Sequence, residues 1–396
     1  MNAPIVIVAF GGVSPEHEVS VITGIQAAMA LKESGISCLP LYISKQGAWF
    51  SGESLLDLST YKDLKKLSLT ASKAEFITDN KGITSFQVQQ KGFLKKPLHY
   101  GIKAVLCAFH GSDGENGAFQ GLCEFLNIPY SGSGVLASSV GMDKDITKRL
   151  CRDAGLPVVD GISFWESDWV SNKTSFMQQM EAFGYPLIVK PARLGSSIGV
   201  SKAGNQHELV DAIESSFRFD AKLLVEKAIQ PLREINCSVL GTAEENRASV
   251  CEQPKGSTEI LSFTDKYQSD SGNAKGMASA SRLIPAPISE EKTQEIQLLS
   301  KQIFSLLGCS GVARLDFLMN DSTGDVYFNE INTIPGSLSF YLWEKSGLSF
   351  SALTKELVHL AQKTHQQKNG RVRSYETNLL SEKSAKGIKG LKGLKK

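Results

Sequence analysis

Short apolar runs alternate with helical periodicity along the first part of the chain. Ile5-Val6-Ile7-Val8-Ala9-Phe10 is apolar throughout and stops at Gly11-Gly12. A helical pattern follows from about Val19 to Lys32, and Cys38-Leu39-Pro40-Leu41-Tyr42-Ile43 is a second strand-like run. Strand, glycine turn, helix, strand is the order of a parallel α/β unit. Residues 45–97 are more polar, with scattered lysines, and look like an insertion. The pattern resumes at Ala104-Val105-Leu106-Cys107-Ala108-Phe109, ahead of a glycine-rich loop.

A different alternation begins near residue 126. A helix over 143–153 leads to the strand Pro186-Leu187-Ile188-Val189-Lys190 and a glycine/serine loop. A helix near 206–216 and a strand at Leu223-Leu224-Val225-Glu226 come next. The third block has strands near 235–241 and 247–252, a polar loop at 262–281 and a helix at 290–307. Strands at 312–319 and 325–331 and a last helix at about 350–364 complete it. The chain therefore divides into 1–125, 126–232, 233–364 and a tail from 365 to 396.

Composition narrows the class. At 396 residues the chain has room for two to four domains of about 100–200 residues each. Hydrophobic content of 41% with 21% charged residues is that of a soluble globular protein. No apolar run reaches 18 residues, so no transmembrane helix is expected. The first residues carry no basic stretch or cleavage signature of a secretion signal. Seven cysteines without a C-x-x-C pair read as reduced, buried thiols of a cytoplasmic protein. The net charge of +2 hides an asymmetry: residues 363–396 hold ten Lys/Arg against two Glu. The remaining body is acidic, which argues against nucleic-acid binding by the folded part. The tail, with its repeated glycines, is expected to be disordered.

Four motifs carry chemistry. In Gly11-Gly12-Val13-Ser14-Pro15-Glu16, glycines between strand and helix allow a ligand to approach backbone N–H groups. The G-x-G-x-x-G spacing of a dinucleotide turn is absent, which makes a nicotinamide-dependent oxidoreductase the weakest of the competing readings. Glu16 suits a substrate ammonium and equally suits a helix N-terminus. His110 ends a buried strand before Gly111, Gly114 and Gly117, at the crevice where α/β sheets bind ligands. Lys190 ends a strand before Gly195-Ser196-Ser197-Ile198-Gly199, and Lys144 precedes a helix. Both can supply point charges to phosphates, although no Walker A loop is present. Arg314 and Asp316 share one face of a strand, as do Glu330 and Asn332 on the next. The turn residues between them favour a hairpin. Two carboxylates, an amide and an arginine thus converge on one sheet face, an oxygen-rich set suited to Mg²⁺ and nucleotide phosphates.

Taken together the residues resemble the D-alanine–D-alanine ligase family of the ATP-grasp superfamily, over roughly residues 4–362. The motifs run in the family's order: G-G-x-S-x-E-x-E-V-S, H-G-x-x-G-E-x-G-x-x-Q-G, G-S-G-x-x-A-S-x-x-x-M-D-K, V-K-P-x-x-x-G-S-S-x-G, R-x-D-F and E-x-N-T-x-P-G. The resemblance implies an α/β (α+β) ATP-grasp fold. A Rossmann-like N-terminal pre-ATP-grasp domain would precede two α+β subdomains enclosing the nucleotide. It implies that Glu16 holds the ammonium of the first D-alanine, with His110 close by. Lys144, Lys190, Ser196, Glu226, Lys227, Ile229 and Glu234 would bind ATP, with Glu226 and Ile229 at adenine and Glu234 at the ribose. Asp316, Glu330 and Asn332 would hold two Mg²⁺ (or Mn²⁺) ions, and Arg314 would stabilise the charge on the reacting carbonyl oxygen. Ser337, Leu338 and Lys266 would take the second substrate's carboxylate, and Ser196 and Tyr267 would close over the site. A homodimer is implied, with no nucleic-acid or membrane partner.

Three departures from the family pattern stand in the sequence. Leu194 occupies a position where better-known members carry an acidic residue, the lid from Tyr267 to Ala278 differs, and Pro335-Gly336-Ser337-Leu338 lacks about four residues found between Gly and Ser in some relatives. D-lactate or D-serine as the second substrate, another amino-acid ligation, and a non-catalytic nucleotide-binding module are the competing readings.

Overall fold

The N-terminal apolar run becomes the middle strand of a parallel trio. The computed structural model of the chain describes residues 2–92, 95–254 and 282–374. Its first six strands are β1 (Asn2–Gly11), β2 (Cys38–Ile43), β3 (Trp49–Ser51), β4 (Ser72–Thr78), β5 (Thr84–Val88) and β6 (Leu98–Cys107). β1 lies between β2 and β6, parallel to both. Val6 to Phe10 are wholly buried, which explains a run with no polar alternation. The helix His17–Glu33 packs on the trio through Val21, Ala27, Ala28 and Leu31.

The polar segment 45–97 is not a separate excursion. It supplies β3, β4 and β5, whose antiparallel pairings run from β2 round to β6 and close the six strands into a barrel. Phe50, Phe86 and Val88 turn inward while the lysines stay outside. The strands are short and one-faced, so their apolar signal is thin. The first residues of β6 pair with β5 and its later ones with β1.

A second sheet, ordered β7-β10-β8-β9, is antiparallel at each pairing: β7 (Gly161–Trp165), β8 (Leu187–Pro191), β9 (Ser201–Ala203) and β10 (Lys222–Lys227). Its helices Glu166–Glu181 and Gln206–Ser216 bury Trp169, Met180, Leu209 and Ile213 against Phe164, Val189 and Val225. A third sheet, ordered β13-β12-β11-β14-β15, has β11 (Leu232–Thr242), β12 (Asn246–Pro254), β13 (Arg282–Leu283), β14 (Ser310–Asn320) and β15 (Val326–Asn332). The helix Glu290–Leu306 covers it with Ile296, Ile303 and Phe304.

The last helix, Phe350–Asn369, leaves the third sheet and packs into the first core through Leu353, Leu357, Val358 and Ala361. It outruns the expected end at 364 by five residues. His365, Gln366, Gln367 and Lys368 cost a helix little, and Gly370 follows it. The tail beyond residue 374 lies outside the described residues. Among the described residues no helix is long and apolar enough to cross a membrane, and all seven cysteines are free and buried.

Candidate active site

Three loops meet at Glu16. Gly11 (φ +92°) and Gly12 (φ +99°) turn the chain out of β1 in a conformation that L side chains resist. A Cβ on Gly11 would lie 2.2 Å from the Ile43 carbonyl oxygen. The Ser14 hydroxyl donates to the His110 carbonyl (2.7 Å) and accepts the Glu16 N–H (3.1 Å). The Ser196 hydroxyl donates to the Glu16 carboxylate, so the loop after β8 reaches the first unit's helix N-terminus. His17 beside it is buried. Its Nδ1 lies 2.7 Å from the Gly12 carbonyl and its Nε2 3.1 Å from the Tyr42 hydroxyl. Burial lowers its pKa.

His110 is 4% exposed. Nε2 lies 2.7 Å from the Thr23 hydroxyl, and the ring also bonds the Ile334 backbone. Desolvation pushes its pKa down to about 4, so the imidazole is neutral at ordinary pH. Glu115, which the sequence reading passed over, accepts the Gly111 N–H (3.0 Å) and the Ile334 N–H (3.4 Å). Burial, then the nearby Glu16 carboxylate, raise it to about 7.

The lysines expected at phosphates form a second cluster. Lys144 follows Asp143, whose side chain caps the helix Lys144–Asp153. The Lys144 ammonium donates to the Leu194 carbonyl (2.5 Å) and lies 3.1 Å from Glu330. Lys190 reaches Glu226 at 2.5 Å and Asn329 Oδ1 at 3.1 Å. Glu226 also pairs with Lys148, which is 2% exposed and was not among the candidates. Both Glu226 oxygens are thus held by lysines. Burial alone would raise the Glu226 carboxyl, but the two lysines outweigh it and hold it below its usual range. Lys148 itself is pushed down to about 8 by burial. Lys144 and Lys148 stand four apart on one helix face, a signal the sequence did contain. Gly161 faces Glu226 across the sheet, where a Cβ would meet its Cγ at 2.7 Å. Lys227 is exposed, and Ile229 and Glu234 are half-buried on the connection to β11 and its start.

On β14, Arg314 and Asp316 face the site while Leu315 and Phe317 enter the core. Arg314 grips Asp316 with two bonds of 2.7 Å, and the Asn332 amide donates to Asp316 at 3.1 Å. Asp316 is paired with Glu330 and Arg314 with Asn332 across the hairpin. Asp316 pairs with Glu330 but Phe317 with Phe328, so Asn329 is an extra residue. Such a bulge re-aims side chains. It puts Asn329 against Lys190 and Glu330 against Lys144, although Phe328 is buried. Behind this face, Glu252 is bonded by Asn236 (3.1 Å), Arg282 (2.8 Å) and Tyr341 (3.3 Å). Among the described residues no group of three or more His, Cys, Asp or Glu could hold a metal. Two carboxylates and an amide on one face do fit divalent cations whose remaining ligands are phosphate oxygens and water.

The segment after Asn332 is tightly held. Ser337, Leu338 and Ser339 are buried, and each has φ near +50°. The Leu338 side chain lies in the first core and its N–H donates to the Pro335 carbonyl (2.8 Å). Lys266 and Tyr267 lie outside the described residues.

The chain is similar to known proteins over most of its length. The profile of the D-ala D-ala ligase N-terminus matches residues 5–133, and that of the D-ala D-ala ligase C-terminus matches 150–359. The chain is 40% identical over 382 residues to the D-alanine–D-alanine ligase of Thermosipho melanesiensis, covering 95% of this chain and 98% of that protein. The Bacillus velezensis D-alanine–D-alanine ligase is 37% identical, over 91% of this chain and 98% of its own length. Among solved structures, the D-alanine-D-alanine ligase from Coxiella burnetii superposes with a TM-score of 0.77 at 29% identity, covering 93% and 97% of the two chains. The VanG D-Ala:D-Ser ligase from Enterococcus faecalis gives 0.75 at 30%, covering 91% and 100%.

Proposed function

The chain belongs to the D-alanine–D-alanine ligase family, and from that premise we propose that it joins two D-alanine molecules into D-alanyl-D-alanine for peptidoglycan precursors. ATP is converted to ADP and phosphate in the reaction. The observation that carries this reading is the convergence of three charged sets. Glu16 is bonded by Ser196, Lys144 and Lys190 lie against Glu330 and Asn329, and Asp316, Glu330 and Asn332 share the sheet face beside them.

The first D-alanine places its ammonium at Glu16 and turns its carboxylate toward the γ-phosphate. Transfer of that phosphoryl group makes an acyl phosphate, an activated acid. Lys144 and Lys190 bind the phosphates as point charges. Divalent ions, when bound at Asp316, Glu330 and Asn332, supply counter-charge to those carboxylates and to the phosphates. Lys144 and Arg314 hold those carboxylates in the structure, and in the loaded site they are released toward substrate. Arg314 then faces the carbonyl oxygen as the second amine attacks, which stabilises the tetrahedral intermediate that expels phosphate. The second D-alanine must enter as a free amine, with its carboxylate at the Ser337 segment. Exclusion of water protects the acyl phosphate from hydrolysis.

Phosphate release with a panel of D- and L-amino acids tests the proposal, with the dipeptide product identified by mass. D-alanine is expected to give the highest turnover. A preference for D-serine or D-lactate as acceptor would move the chain within its family. Turnover with none of them, despite ATP binding, would favour the non-catalytic reading.

A further inference from the structure

Three consecutive non-glycine residues, Ser337, Leu338 and Ser339, have φ of +50°, +52° and +52°. L-residues visit this region singly, and a run of three persists only where the surroundings hold it. All three are at most 1% exposed. The Leu338 side chain anchors the middle of the turn in the first core. Its start is anchored by a side chain from the other end of the sequence: the Ser337 N–H donates to Thr23 Oγ1 at 3.0 Å. Thr23 is wholly buried on the helix His17–Glu33, two turns after Glu16.

One hydrogen-bond direction is fixed by the partners: the Ser337 N–H can only donate, so Thr23 Oγ1 accepts from it. Thr23 Oγ1 also lies 2.7 Å from His110 Nε2, where donor and acceptor exchange with the imidazole tautomer. In either tautomer the hydroxyl keeps a lone pair for the Ser337 N–H. Glu115 adds a second tie, with one oxygen on Gly111 N–H and the other on Ile334 N–H. The loop that begins at His110 is in this way joined to both ends of the 334–337 segment.

We propose that Thr23 is a positioning residue for the second amino acid: its hydroxyl, oriented by His110, holds the left-handed Ser337–Ser339 turn in the place where the acceptor's carboxylate docks. The proposal rests on the reading of Ser337 as part of the acceptor site. Thr23 touches no substrate and acts through the Ser337 backbone. His110 thereby serves the acceptor side as an orienting group, in addition to its place near the first substrate.

The test uses full-length Thr23→Val, which keeps the shape and removes the hydroxyl, with Thr23→Ser as the conservative rescue. D-alanine saturation is resolved into its two sites. Positional isotope exchange in ATP reads the first step without the acceptor. Losing the acceptor of a buried N–H predicts a rise of roughly 10- to 100-fold in the acceptor KM for Thr23→Val. The ATP KM and the isotope exchange should stay within about threefold, and Thr23→Ser should restore the acceptor KM. If Thr23→Val does not fold, Thr23→Ala reads out the same quantity. An unchanged acceptor KM, or an equal rise in the ATP KM, overturns the proposal. Ser337→Ala separates the two layers. If it raises the acceptor KM while Thr23→Val does not, Thr23 alone is excluded. If both variants leave it unchanged, the Ser337 reading fails as well.

Discussion

A single methyl group at Gly111 would separate the first-substrate site from the nucleotide site. Gly111 has φ +66°, and its Cβ would lie 2.5 Å from Glu16 Oε2 and 2.8 Å from Ser14 Oγ. Gly111→Ala therefore has two costs. Holding alanine in the left-handed region costs about 1–2 kcal/mol. To reach ordinary contact, the Glu16 carboxylate must retreat by nearly ~1 Å, away from the position where Ser196 holds it. A charge-assisted hydrogen bond lost at that carboxylate is worth about 1.5–3 kcal/mol, or roughly 10- to 150-fold. The expected result is a fall of about 10- to 100-fold in kcat/KM for D-alanine. Lys144 and Lys190 are held by Glu330, Glu226 and Asn329 on other sheets, so the ATP KM should move less than about threefold. The melting temperature should fall by about 2–8 °C. Phosphate release is measured against D-alanine at saturating ATP and against ATP at saturating D-alanine, with thermal unfolding in parallel. Gly195→Ala is the control, because its Cβ would stand 3.4 Å from Glu16 Oε2 at a φ that alanine accepts. A folded Gly111→Ala protein with wild-type D-alanine saturation would refute the placement of the ammonium at Glu16.

Other expectations follow from charges and burial. Glu330→Gln should weaken Mn²⁺ binding to the ATP-loaded protein by more than about tenfold in a paramagnetic resonance titration; unchanged affinity would remove Glu330 from the metal set. The folded His110 pKa of about 4 lies below its ordinary 6.5, so the unfolded chain takes up the proton first as pH falls. Stability is therefore lost between 6.5 and 4, by up to about 3 kcal/mol, and His110→Gln should flatten that slope in denaturant melts. Glu115 has the opposite sense: its folded value of about 7 lies above the ordinary 4.5. The unfolded chain ionises first, and the wild type should lose about 3 kcal/mol relative to Glu115→Gln as pH rises from 4.5 to 7. A constant difference between the two proteins across that range would contradict the raised value.

The wholly buried strands and the strand-spaced charges were legible in the chain itself. β1, β2 and the end of β6 are buried runs, and Arg314, Asp316, Glu330 and Asn332 sit at strand spacing, so periodicity alone put them on common faces. The strands within segment 45–97 were not legible, because they are short and shed their lysines outward, leaving little contrast with a loop. Lys148 was passed over because a helix lysine normally reaches water. Only the fold shows that this one is buried against Glu226. The bulge at Asn329 has no marker in residue type, because it is a mismatch in register between two strands. Thr23 and Ser337 are 314 positions apart, and no local pattern connects them. Sequence determined which side chains are candidates for the chemistry, since charge, glycine placement and strand spacing are local properties. Tertiary structure alone decided which cation neutralises which carboxylate and what holds the strained turn, because those depend on distances between segments far apart in the chain.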